Sequence, residues 1–148
     1  MTSSEQVGRA VLVGATGLVG GELLRVLLGD DRFASVVVLG RRPTGVRHEK
    51  LREHVVDFAA PASFGELVTG DVLFSALGTT LRAAGSPAAQ YDVDHGHQLR
   101  VAQAARRNGV PVYVLVSAAG SSPRSRIFYS RMKGELERDV EALGFPRA

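Results

Sequence analysis

Apolar positions along the chain follow two alternating patterns. Short runs rich in valine and leucine occur at Arg9 to Val13, Ser35 to Leu39, Asp71 to Ala76 and Pro111 to Val116, with a briefer one near Glu53 to Val56. Between them lie segments with the three-to-four spacing of amphipathic helices: Gly17 to Leu28, Ala89 to Arg107 and Ile127 to Leu143. A shorter helix is expected from Pro61 to Val68, opened by proline in its first turn. Continuous β-branched runs such as Ser35-Val-Val-Val-Leu39 suit strands covered on both faces. Strands alternating with helices make βαβ units, hence a parallel sheet with right-handed crossovers. The pattern predicts one α/β domain over residues 1–148, with a polar lead-in at residues 1–8.

The first strand runs into Gly14-Ala-Thr-Gly17-Leu-Val-Gly20 and then directly into the first helix. This G-x-x-G-x-x-G spacing is a variant of the dinucleotide-binding fingerprint. Gly14 allows a sharp turn off the strand, Gly17 allows backbone to approach a diphosphate, and Gly20 allows close packing of the helix. Unpaired N–H groups and the positive helix end then face the anion. Gly14, Thr16, Gly17, Leu18, Val19 and Gly20 are therefore candidate diphosphate-binding residues. With this fingerprint on the first strand, the fold class is Rossmann-like, a doubly wound parallel sheet in order 3-2-1-4-5.

The turn after the second strand selects among dinucleotides. It reads Leu39-Gly40-Arg41-Arg42, with two cations and no carboxylate where an adenosine ribose would lie. Arg41 and Arg42 suit a 2′-phosphate, so NADP(H) is the preferred cofactor and NAD(H) remains possible. Asp57 and Phe58, after the third strand, are candidates for the adenine contact. The small residues leaving the fourth strand, Ala76, Leu77, Gly78 and Thr79, allow backbone to pass close to a cofactor.

Composition changes the picture at one point. Of 18 basic residues only Lys50 and Lys133 are lysine, which asks whether an ammonium is required there. Lys133 closes Tyr129-Ser-Arg-Met-Lys133, a Y-x-x-x-K pair whose i, i+4 spacing puts both side chains on one helix face. Chance places such a pair in roughly one in twenty-five chains of this composition. A phenol with an ordinary pKa near ~10 serves poorly as an acid–base group at neutral pH. A neighbouring ammonium favours the phenolate and brings it into range. Ser117, at the end of the fifth strand, can hydrogen-bond the oxygen of a reacting carbonyl. Ser117, Tyr129 and Lys133 are the candidate catalytic residues, with Lys133 also holding the cofactor.

The remaining features mainly exclude. A net charge of +3 with scattered arginines gives no basic stripe, so nucleic acid is not an expected partner. No apolar run reaches the ~20 residues of a membrane span, and the first residues lack a secretory h-region. Absence of cysteine excludes a disulfide framework and thiolate metal sites. A cytoplasmic location and no membrane partner are the resulting expectations. His95 and His97, two apart on a helix, point in different directions, so no metal site is expected. Asp92 and Asp94 are expected to complement the dipole at the start of their helix. The oligomeric expectation is a monomer or homodimer with an unknown small-molecule substrate.

Taken together, GATGLVG, LGRRP, VVDF, SALGTT, LVSAAG and YSRMKGELE resemble the short-chain dehydrogenase/reductase superfamily over essentially the whole chain. Their wording is most similar to its atypical NAD(P)H-binding branch, which contains the Tat-interacting oxidoreductase-like protein. The resemblance implies an NADP(H)-dependent oxidoreductase, with Gly14, Gly17 and Gly20 on the diphosphate and Ser117, Tyr129 and Lys133 in the active site. Members usually continue into a sixth strand and a C-terminal substrate-shaping part, which the sequence is expected to lack. Two alternatives stay open: a non-catalytic NADP(H)-binding regulatory or sensor module, and an epimerase- or dehydratase-like sugar-nucleotide enzyme.

Overall fold

β1 (Gly8–Val13) alternates its side chains between two apolar layers and stands at the middle of a five-stranded parallel sheet. In the computed structural model, which describes residues 8–77, 84–116, 124 and 128–147 (at 129 the backbone only), the other strands are β2 (Phe33–Gly40), β3 (Leu51–Val55), β4 (Val72–Ser75) and β5 (Val112–Leu115). Their order is β3-β2-β1-β4-β5, as the sequence predicts. Every neighbouring pair is parallel.

Ala10 and Leu12 face α1 (Leu18–Leu28) and pack with Leu24, Leu27 and Leu28. Val11 and Val13 face the opposite layer, where Val101, Ala102, Leu136 and Val140 close over the sheet. The helices of that layer are α2 (Pro87–Tyr91), α3 (Gln98–Arg107) and α4 (Phe128–Glu141). A strand residue with both neighbours apolar is thus buried whichever way it points, which is why the β-branched runs are unbroken. Among the described residues, no helix is long and apolar enough to cross a membrane.

Three expectations need correction. The segment Pro61 to Val68 is not one helix but two 3₁₀ turns, Pro61–Ser63 and Gly65–Leu67. Phe64 lies between them, turned out of helical geometry (φ −133°) so that its ring can enter the core. The long helix starts earlier, at Pro87, with the Ser86 hydroxyl accepting from the Ala89 N–H at 3.1 Å. Between α2 and α3, moreover, residues Asp92–His97 wind as a π-helix. The wider turn takes an extra residue and buries Asp94, His95 and His97 against different neighbours. Asp92 and Asp94 consequently sit in mid-run, away from the helix start at Pro87, and Asp92 pairs with the Arg100 guanidinium at 3.2 Å.

At the far edge, Arg147 forms a parallel bridge to Val112, with the Tyr113 N–H donating to the Arg147 carbonyl at 2.9 Å. The last described residues therefore run along β5.

The turn after β1 is the tightest place in the fold. Gly14 has φ +90°, and a Cβ there would lie 2.4 Å from the Ala76 carbonyl carbon. At Gly20 a Cβ would fall 1.8 Å from the Gly14 carbonyl oxygen. Gly20 thus lets α1 lie against the glycine turn itself, and not directly on the sheet as the spacing suggested. Gly20→Ala is expected to lower unfolding free energy by about 2 kcal/mol or more in urea titrations. Gly21→Ala, whose Cβ meets only an ordinary 3.4 Å contact, is expected to be neutral or stabilising by up to about 1 kcal/mol. Equal effects would contradict the packing argument.

Candidate functional site

Where β1, β2 and β4 end, the loops leave a cleft of about 250 Å³. The carboxyl ends of parallel strands at the point where strand order reverses are where such folds bind ligands. The glycine turn supplies Gly14 to Gly17, and the β2 exit supplies Val38 to Arg42 together with Thr44. Phe58 comes from the β3 exit, and Ala76 and Leu77 from the β4 exit. Four segments far apart in sequence therefore meet in one depression.

Its floor is prepared for an anion. α1 begins at Gly17 with no side chain capping it and no acidic residue in its first turn. Its leading N–H groups and positive end are open to a negatively charged group. A Cβ at Gly17 would project over this end, its nearest atom the Gly14 oxygen at 3.5 Å. The absence of that methyl is what a close-lying diphosphate requires. Arg41 and Arg42 are exposed on the rim, two forks free to reach a phosphate. Thr44, also on the rim, is fastened from below, since its N–H and hydroxyl both donate to the Glu53 carboxylate. The residues present fit the adenosine diphosphate part of a dinucleotide.

Not every expected residue lines the cleft. Leu18 and Val19 are exposed at the start of α1, Leu18 90% so, and lie outside it. Gly20 acts beneath it. The Asp57-Phe58 pair divides: Asp57 is exposed and caps its own loop, accepting from the Ala59 N–H at 2.9 Å, while Phe58 is buried and forms the wall. Gly78, Thr79 and Ser117 lie outside the described residues, as does the Tyr129 side chain. Ala15, Val38, Leu39, Gly40 and Thr44 were missed by the sequence reading. Their signal was position alone, next to residues already singled out.

Lys133 sits on α4 and is 4% exposed. Burial lowers its pKa, and the carboxylates of Asp94 and Glu137 act against that shift. Asp94 lies on the π-helical turn. The Ser75 hydroxyl, at the end of β4, donates to Gln98 Oε1 at 2.7 Å, and Gln98 Nε2 donates to the Asp94 carbonyl at 2.7 Å. A buried polar chain thus anchors the irregular turn to the sheet. On its other side, His95 pairs with Asp139 at 2.7 Å and stacks on Tyr91 at 4.5 Å. Among the histidines, this arrangement sends His95 toward α4 and His97 toward Phe58. No cluster of metal-ligating residues occurs among the described residues.

The two tyrosines whose side chains are described do not suit proton transfer at neutral pH. Burial pushes Tyr113 up to about 12. Tyr91 is also raised, by burial and then by the charges of Glu135 and Asp139.

Comparison with known proteins places the arrangement. The profile of the NAD-dependent epimerase/dehydratase family matches residues 10–133, a span that runs from β1 to the buried lysine. The chain belongs to that family. Its sequence is 39% identical over 148 residues to the protein fmp52, mitochondrial, of Aspergillus niger, covering 95% of this chain and 63% of the relative. It is 41% identical over 139 residues to FMP52, mitochondrial, of Saccharomyces cerevisiae, covering 91% and 60%. The chain thus spans about three-fifths of the length of the curated relatives it matches. Among solved structures, MoeE5 in complex with UDP-glucose and NAD aligns with TM-score 0.75 at 20% identity, over 95% of this chain and 52% of that one. At that identity the likeness shows the fold. The superfamily resemblance read from the motifs holds at the level of this family. The cytoplasmic expectation does not hold, because these relatives are named mitochondrial proteins. Its bases, the absence of a membrane-length apolar run, of a secretory h-region and of cysteine, do not bear on mitochondrial location.

His97 gives this region a pH dependence. Burial holds its imidazole below the usual histidine range, with Asp92 and Asp57 opposing and Arg100 and Arg41 reinforcing the shift. The folded state therefore binds fewer protons than the unfolded chain, and stability falls as pH drops below about 6.5. Urea titrations at pH 7 and pH 5 are expected to show that decline, and His97→Gln is expected to flatten it. An unchanged difference in the variant would remove His97 as its source.

Proposed function

We propose that the chain is the cofactor-binding part of an NADP(H)-dependent oxidoreductase of short-chain dehydrogenase/reductase type, most similar to the atypical Tat-interacting oxidoreductase-like branch. The observation that carries this reading is the joining of an uncapped, acid-free helix end and two exposed arginines in one cleft. The family's dependence on NAD supports a dinucleotide, and Arg41 and Arg42 favour the 2′-phosphorylated form.

Bound cofactor supplies or accepts a hydride at its nicotinamide. In this reading Lys133 binds the cofactor's ribose and lowers the pKa of Tyr129. Tyr129 gives the proton to the carbonyl oxygen, or takes it from the alcohol in the reverse direction. Ser117 holds that oxygen in place. The substrate is a small carbonyl or alcohol. Two observations support Tyr129 over the other tyrosines: its i, i+4 relation to a buried lysine, and the raised pKa values of Tyr91 and Tyr113.

A second reading, a sugar-nucleotide epimerase or dehydratase, is favoured by the family and by the UDP-glucose bound to MoeE5. Turnover of a UDP-hexose, with no reduction of simple carbonyls, would support it.

Tyr129→Phe is expected to reduce turnover by ~10²–10⁴-fold while leaving NADPH affinity nearly intact. Unchanged turnover would remove Tyr129 from the mechanism. Replacing Arg41 and Arg42 with alanine is expected to weaken NADPH about 10–100-fold more than NADH, and more so at low salt. Equal losses for the two cofactors would contradict the 2′-phosphate assignment.

A further inference from the structure

The wall of the cleft formed by Phe58 has a fastening that none of the motifs announced. Arg100 projects from α3 toward the loop that follows β3. Its Nε donates to the Phe58 carbonyl at 2.9 Å. One Nη2 donates to the Asp92 carboxylate at 3.2 Å and to the Nδ1 atom of His97 at 2.6 Å. Arginine has no acceptor, so Nδ1 of His97 must be unprotonated and the ring neutral. The same ring lies 5.8 Å from the Phe58 ring, inclined by 31°. One guanidinium therefore holds the backbone of Phe58 and the imidazole beside its side chain.

The helix has made room for this. A Cβ at Gly96 would lie 2.8 Å from Asp92 Oδ1 and 3.3 Å from Arg100 Nη1. Glycine in mid-helix is unfavourable by propensity, and here it keeps the path of the ion pair clear. The loop that receives Arg100 is closed on itself. Ser63 Oγ donates to the Asp57 carbonyl at 2.8 Å and accepts from the Asp57 N–H at 3.1 Å. At its Phe58 end, the Arg100 hydrogen bond ties this closed loop to the helix.

We propose that Arg100 is a positioning residue for the adenosine end of the cleft, holding Phe58 and its loop where an adenine would lie against them. The proposal rests on the reading of the cleft as an NADP(H) site and adds what sets its affinity. It differs in kind from the role of Arg41 and Arg42. An adenine is common to NADPH and NADH, so losing the tie weakens both alike, whereas losing a 2′-phosphate contact discriminates between them. The guanidinium fork matters as well as its charge, because three directed hydrogen bonds leave it in different directions.

The test is calorimetric titration with NADPH and NADH of the wild-type protein, Arg100→Lys, Gly96→Ala and Asn108→Ala. Asn108 is the control for loop fastening, since its Nδ2 donates to the Gly65 and Val68 carbonyls (2.8 Å each) at the far end of the same connection. Arg100→Lys is expected to weaken both cofactors by the same factor, about tenfold. Gly96→Ala keeps the guanidinium and improves helix propensity, so it guards against mere unfolding. It is expected to weaken both cofactors in the same ratio as each other. Asn108→Ala is expected to lower the unfolding midpoint without changing either affinity. Wild-type affinity in folded Arg100→Lys, a loss confined to NADPH, or an equal loss in Asn108→Ala would each overturn the proposal while leaving the cofactor reading intact. Failure of the wild-type protein to bind either cofactor would overturn both.

Discussion

Everything in the site depends on backbone meeting backbone at Gly14. The turn after β1 is pressed between the Ala76–Leu77 backbone on one side and Gly20 of α1 on the other. Neither contact leaves space for a Cβ, and Gly14 additionally needs a positive φ. The contact brings the start of α1 to the edge of the sheet and sets the β4 exit beside it. With α1 so placed, its uncapped end at Gly17 borders the cleft, and the absence of acid in its first turn keeps that end electrostatically open. The open, acid-free helix end at the cleft is thus a consequence of packing, and Arg41 and Arg42 add positive charge at the rim.

The second organising element is the helical run on the opposite layer. Its π-helical turn is stabilised by contacts on three sides: Ser75 through Gln98 on the sheet, Asp139 through His95 on α4, and Phe58 through His97 and Arg100 at the cleft wall. An irregular turn inside a helix is costly unless its surroundings fix it, and here they do. The charge of Asp94, on this turn, acts on the buried Lys133, and the Phe58 wall of the cleft is tied to the same stretch. The surroundings of Lys133 and of Phe58 are thus both tied to one short stretch of chain.

The fold was legible because β-branched runs and glycine spacing report directly on sheet burial and on turn geometry. Strand order followed from the position of the glycine motif alone. The turn at Arg41 and Arg42 was legible as part of the cleft for the same reason, since the end of β2 must lie next to the end of β1. What the sequence hid were features set by tertiary contacts. The π-helical turn, Asp-Val-Asp-His-Gly-His, is made of weak helix formers, but nothing in its spacing tells a π-turn from an α-turn. The split roles of Asp57 and Phe58 follow from Ser63 closing the loop, which no periodicity reveals. Leu18 and Val19 look like core residues by hydropathy, yet the helix start they occupy is the exposed rim.

In the function proposed above, this cleft binds a dinucleotide through its adenosine diphosphate and prefers the 2′-phosphorylated form. Calorimetric titration of the unmodified protein with NADPH and with NADH tests it most directly. Saturable binding of both at one site per chain is expected, with NADPH the tighter ligand. Absence of binding to either would contradict it.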